Sequence, residues 1–133
     1  MNYGTEFKKY AMSDHSVSSS KLNYYEKQIE NSMTPYILEE REMRATQIDI
    51  FSRLMADRLL WVAGPVNDGM STVVQAQLMF LDSVDKKDIT MHIDSPGGSV
   101  KSGLSMVDVM DYIKSDIRTV NTGMAASMGS VLL

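Results

Sequence analysis

The chain has 133 residues, 44% of them hydrophobic and 23% charged, which suits one globular domain with a modest core and leaves too little for two. Its net charge of -4 excludes the broad basic surface that a nucleic-acid partner needs, and the pairs Lys8-Lys9 and Lys86-Lys87 read as solvated turns. The lack of cysteine excludes disulfides, thiolate zinc sites and a cysteine nucleophile. No apolar run approaches the ~20 residues of a membrane span and the first residues lack the apolar core of a secretory signal, so no membrane role and a cytoplasmic location are expected.

Residues 1–33 are polar and rich in serine between Ser13 and Ser20, with no sustained apolar period, and read as a mobile leader. The segment Thr34 to Glu40 begins Thr34-Pro35 and then mixes apolar with acidic residues, which suits an extended arm or loop. From Gln47 to Arg58, Ile48, Phe51, Leu54 and Met55 fall at helical spacing and predict a short amphipathic helix. Leu59 to Ala63 is a continuous apolar run closed by Gly64-Pro65, as expected of a parallel strand buried on both faces.

Asn67, Asp68 and Ser71 offer caps for a helix from about Ser71 to Ser83, with one stripe through Val73, Ala76, Phe80 and Val84 and a second through Val74, Leu78 and Leu81. Asp82, Asp85 and Asp88 read as a solvated loop. Ile89 to Asp94 alternates with period two and predicts a strand. A helix from about Val100 to Lys114 and a third strand, Ile117 to Asn121, follow. Alternating strands and helices imply an α/β core with parallel crossovers, in which the loops after successive strands share one sheet edge.

Two such loops carry residue types suited to chemistry. Thr122-Gly123-Met124-Ala125-Ala126-Ser127-Met128-Gly129 leads from a strand into a helix, one residue type away from the G-x-S-x-G elbow that projects a nucleophilic serine. Serine is also a favoured N-cap, so capping stands as the alternative role for Ser127. Ser95-Pro96-Gly97-Gly98-Ser99 is either a tight strand-to-helix connection or a backbone cradle for an oxyanion, in which N–H groups of the Gly97-Gly98 turn and that of Met128 would serve together; the phosphate-loop spacings are not matched. The histidines do not supply a base: His15 lies in the leader, and His92 alternates with Met91 and Ile93 on a strand, where a satisfied or surface imidazole is expected. Asp94 reads as a polar end to that strand. The chain stops at Val131-Leu132-Leu133, a few residues into an apolar helix, so it is expected to be the N-terminal portion of a longer polypeptide whose exposed apolar side chains limit solubility.

In succession, Asp49-Ile50-Phe51-Ser52-Arg53-Leu54, Gly64-Pro65-Val66-Asn67-Asp68, Asp94-Ser95-Pro96-Gly97-Gly98-Ser99 and Gly123-Met124-Ala125-Ala126-Ser127-Met128-Gly129-Ser130 resemble the proteolytic subunit of the ATP-dependent Clp protease, ClpP, from about Thr34 to Leu133. The resemblance implies a peptidase domain over residues 34–133, an α/β spiral of strand-turn-helix units shared with crotonases and ending before the family's handle region, preceded by a propeptide-like leader over residues 1–33. It implies a serine endopeptidase that needs no metal or organic cofactor, with Ser127 as nucleophile and Gly98 and Met128 as oxyanion donors. The triad histidine and aspartate lie further along in the family and are absent here, so this portion alone is expected to be inactive. Partners implied are further copies in two stacked heptameric rings, an AAA+ Clp unfoldase, and unfolded polypeptides. Tyr36, Ile37 and Leu38 resemble the start of the axial loop, and Thr90 and His92 stand where relatives carry aromatics near the ATPase docking pocket. A non-catalytic ring subunit and a crotonase-like acyl-CoA enzyme are the alternatives.

Overall fold

The computed structural model describes residues 36–41 and 44–133, together with Lys9 and Met12, which are helical; the remainder of the leader lies outside the described residues. Strand β1 (Tyr36–Arg41) pairs antiparallel with β2 (Arg44–Asp49), Tyr36 opposite Asp49 and Arg41 opposite Arg44. The extended segment is thus half of a ribbon, and the helix predicted from Gln47 gives up its first three residues to β2. The reason is local: the Asp49 carboxylate accepts a hydrogen bond from Ser52 N at 2.9 Å, which makes Asp49 the N-cap and starts α1 (Ile50–Ala56) one residue later. Ile48, in helical register with Phe51, is paired with Ile37 instead.

After α1 the chain alternates strictly: β3 (Leu59–Ala63), α2 (Asp68–Val84), β4 (Ile89–Ser95), α3 (Val100–Tyr112), β5 (Ile117–Ala125) and a last turn of helix, α4 (Met128–Val131). The three later strands form a parallel sheet in the order β3-β4-β5, with Leu59 beside Thr90 and Ile89 beside Ile117. The α/β reading therefore holds. Helix α2 begins at Asp68, ahead of its expected start, because Asn67 Oδ1 accepts from Met70 N at 3.0 Å and caps it. Strand β5 continues past Asn121 to Ala125, but not in register: two steps along β4, Ile93 to Ser95, face four along β5, Asn121 to Ala125.

Both apolar stripes of α2 are buried, as their breadth implied, except at the last residue of the helix, where Val84 is exposed because the chain turns away from the core toward Asp85. Val73, Val74, Leu78 and Leu81 meet Ile89, Met91 and Ile93 of β4 and Met106 of α3, none of them more than 2% exposed. The same burial corrects one expectation. Among the described residues β3 is covered on one face only: Leu60 and Val62 point into the core at 3% and 0% exposure, whereas Trp61 is 37% exposed. Among the described residues the core side chains of the helices lie on one face of the sheet, and the other carries Trp61 with the His92 ring stacked on it at 5.1 Å. On α3 the outward side holds Val100 and Leu104, both exposed. Among the described residues no helix is long and apolar enough to cross a membrane.

Candidate active site

Parallel strands deliver their C-terminal ends to one edge, and here three chain reversals meet there. Gly64, after β3, donates its N–H to Asp94 O at 2.9 Å; Val66 N donates to Gly97 O at 2.9 Å, and Ser99 N returns to Val66 O at 2.8 Å. This short parallel bridge between Val66 and Gly98 fixes the glycine turn against the preceding loop. The third reversal closes on the second: Ala126 N, at the end of β5, donates to Ser95 O at 3.0 Å.

The two turns singled out by sequence are in contact. A Cβ built on Gly97 would lie 2.7 Å from Ser127 Cβ and 2.8 Å from both Ala126 O and Met128 N, so only glycine allows the chain to pass this close to the serine turn. Gly98 is equally constrained on its other side, where a Cβ would fall 2.3 Å from Val66 O. Both glycines adopt positive φ, 91° and 152°. Among the described residues neither the Gly98 N–H nor the Met128 N–H is taken up by a hydrogen bond.

Ser127 occupies the N-cap position of α4, yet its side chain makes no capping hydrogen bond. Its backbone stands at φ 49°, ψ -124°, a region that L-residues avoid at a cost of roughly 1–3 kcal/mol. Its carbonyl is used, accepting from Ser130 N at 3.0 Å and from Ser130 Oγ at 2.6 Å, and the residue is solvent-exposed. The elbow thus spends backbone strain to leave a hydroxyl outside and unemployed in capping. An exposed hydroxyl on a strained turn, beside a second turn whose Gly98 N–H has no hydrogen-bond partner among the described residues, is chemistry suited to a nucleophile.

His92 is a satisfied, partly exposed imidazole, as expected, and Asp94 does more than end its strand. His92 Nδ1 lies 2.8 Å from Thr122 Oγ1, and the Asp94 carboxylate accepts from Met124 N at 2.9 Å. Both residues lie on the outward side of β4 and brace the irregular part of β5 that leads into the serine turn. Sequence reading missed them in that role because the out-of-register interval, which brings residues 122–124 within reach, has no sequence signature. It also missed Ser95, whose burial is complete. Among the described residues no group of three or more acidic or imidazole side chains is placed to hold a metal ion.

The family model described as Clp protease matches residues 40–133. A protein of Bacteroides fragilis (strain YCH46) named ATP-dependent Clp protease proteolytic subunit is 48% identical over 129 residues, covering 96% of this chain and 59% of its own length. A protein of the same name from Porphyromonas gingivalis is 46% identical over 129 residues, covering 96% of this chain and 58% of its own. Another from Streptococcus salivarius is 48% identical over 101 residues, 75% of this chain and 52% of its own. The chain thus spans little more than half the length of these relatives. With the glycine turn, the serine elbow and the parallel sheet all inside the matched region, the chain belongs to the Clp protease family.

Proposed function

We propose that the chain is the N-terminal part of a Clp-type serine endopeptidase subunit that hydrolyses unfolded polypeptides without a metal or organic cofactor. Ser127 Oγ attacks the peptide carbonyl, its proton passing to a histidine, and the N–H groups of Gly98 and Met128 hold the oxygen that becomes negative. Collapse of the tetrahedral intermediate breaks the C–N bond, the histidine returns the proton to the leaving amine, and water then hydrolyses the acyl-serine by the same sequence. The histidine and its aspartate partner are assigned to the part of the relatives' length that this chain does not cover. Residues 1–133 alone therefore carry the nucleophile and its oxyanion donors without the base, and are inactive.

The observation that supports this reading is the junction of the two turns: a strained, exposed Ser127 backed by Gly97, with two adjoining amides free of other bonds. The relatives' shared name supports an ATP-driven partner, which we take to be an AAA+ Clp unfoldase feeding a chamber made of two stacked heptameric rings of this subunit.

In a polypeptide extended to the relatives' length, Ser127→Ala is expected to lower peptide hydrolysis by about 10⁴-fold or more and to abolish labelling by a fluorophosphonate. Labelling on another serine, or hydrolysis that survives the substitution, would contradict the assignment. Assembled rings that neither label nor hydrolyse would identify a non-catalytic subunit, and tight acyl-CoA binding without labelling a crotonase-like one.

A further inference from the structure

Directly behind this junction lies a hydroxyl that the proposed reaction does not use. Ser95, the last residue of β4, is 0% exposed. Its Oγ donates to Gly64 O at 2.7 Å and accepts from Gly97 N at 3.1 Å, while its carbonyl accepts from Ala126 N at 3.0 Å. Gly129 packs on the same residue, since a Cβ there would lie 2.7 Å from Ser95 O and 3.1 Å from Ser95 Cβ. One side chain and its backbone thus touch the ends of all three parallel strands and both functional turns.

A serine hydroxyl has one proton to give, and Gly64 O takes it, which leaves a lone pair for the Gly97 N–H. The Gly97 carbonyl is held from the other side by Val66 N at 2.9 Å. Because the peptide between Gly97 and Gly98 is planar and trans, fixing Gly97 O on Val66 points the Gly98 N–H the opposite way. Gly97 is therefore clamped at both its nitrogen and its carbonyl oxygen, and the clamp at the nitrogen is the Ser95 hydroxyl.

We propose that Ser95 is a positioning residue for hydrolysis: through Gly97 it sets the direction of the Gly98 N–H, and through Ala126 it sets the height of the Ser127 elbow. The proposal rests on the oxyanion role given above to Gly98. A group that supports the donor and the nucleophile without touching the substrate affects the charged transition state more than the bound peptide, so its removal acts on kcat rather than KM.

The test uses the polypeptide extended to the relatives' length, with rates normalised to serines titrated by a fluorophosphonate so that misfolded chains are not counted. Ser95→Ala is expected to lower kcat by roughly 10- to 100-fold with KM changed less than about twofold, and to slow fluorophosphonate labelling in step, because that reaction also builds charge on an oxygen facing the same amides. Ser95→Cys, which keeps the volume and a weak donor, is expected to recover part of the loss. A kcat within about twofold of the parent, or a loss confined to KM, overturns the positioning role. If Ser95→Ala yields no titratable serine, Ser95→Cys decides by the same criteria. Inactive Ser127→Ala with unaffected Ser95 variants sinks this proposal alone, whereas active Ser127→Ala sinks the hydrolytic reading beneath it.

Discussion

Ser127 and Gly97 illustrate how much a single position can demand. The serine keeps a positive φ without the freedom of glycine, so its neighbours must hold it there: Ala126 N is tied to Ser95 O, and Gly129 N to Ala126 O at 2.8 Å. Gly97 closes the arrangement by allowing the two turns to touch. Gly97→Ala brings a Cβ within 2.7 Å of Ser127 Cβ and meets backbone on two further sides, at a φ of 91° that disfavours any Cβ. We expect it to cost roughly 2–4 kcal/mol in urea denaturation and to reduce fluorophosphonate labelling of the extended polypeptide by more than about 10²-fold. A variant as stable and as reactive as the parent would mean that the turns separate at little cost. That the glycine turn and the serine turn meet was legible in the sequence, because loops that follow parallel strands share one sheet edge. Ser95 was not, because a serine beside a proline looks like any turn residue until its burial is known.

The elements are tied at both ends of the sheet, and by different means. At the C-terminal end the strands converge on Ser95, and at the N-terminal end they converge on Arg58, which stands between α1 and β3 with φ 61°. Its guanidinium donates to Leu81 O, Asp85 O, Lys87 O and Asp88 O and to Ser115 Oγ, at 2.7 to 3.2 Å, so one side chain caps α2, shapes the loop before β4 and reaches the loop before β5. Its own carbonyl accepts from Thr90 N. Arg58→Ala leaves several carbonyls without their donor and is expected to destabilise the fold by roughly 3 kcal/mol, read as a lower urea midpoint. Arg58→Lys should recover little, because an ammonium on a single stem cannot span these acceptors. Recovery to parental stability by lysine would show that charge, not the planar fork, matters here. Helical periodicity marked where α1 ends but gave no hint of this role, since four of the five acceptors are backbone atoms 23 to 30 residues further along the chain.

At the scale of the molecule, the aspartates read as a solvated loop divide into two kinds. Asp82 lies on α2, and partial burial would raise its pKa. Bonds from Lys86 Nζ, from the Ser115 hydroxyl and from the Ser115 and Lys114 N–H groups prevail and hold it at about 2. Asp85 is also lowered, first by its bond to Lys87 and then by the Lys86 N–H. A carboxyl depressed from 3.8 to about 2 contributes its full stabilisation above pH 3.8 and loses it as pH falls through about 2. Screened by solvent, the Asp82 share is about 1 kcal/mol. The stability difference between the parent and Asp82→Asn is therefore expected to be constant near neutrality and to shrink between pH 4 and pH 2; a difference that grows on acidification would reverse the sign of the linkage. What the sequence determined by itself was the alternation of strand and helix, the broad apolar face of α2 and the two loops with reactive composition, because periodicity, punctuation and residue type are local properties. Tertiary structure alone decided that β3 is covered on one face, that β5 runs on out of register under Asp94 and His92, and that Ser95 and Arg58 gather the strand ends. Each of those outcomes depends on distances between residues far apart in the chain, which no local pattern encodes.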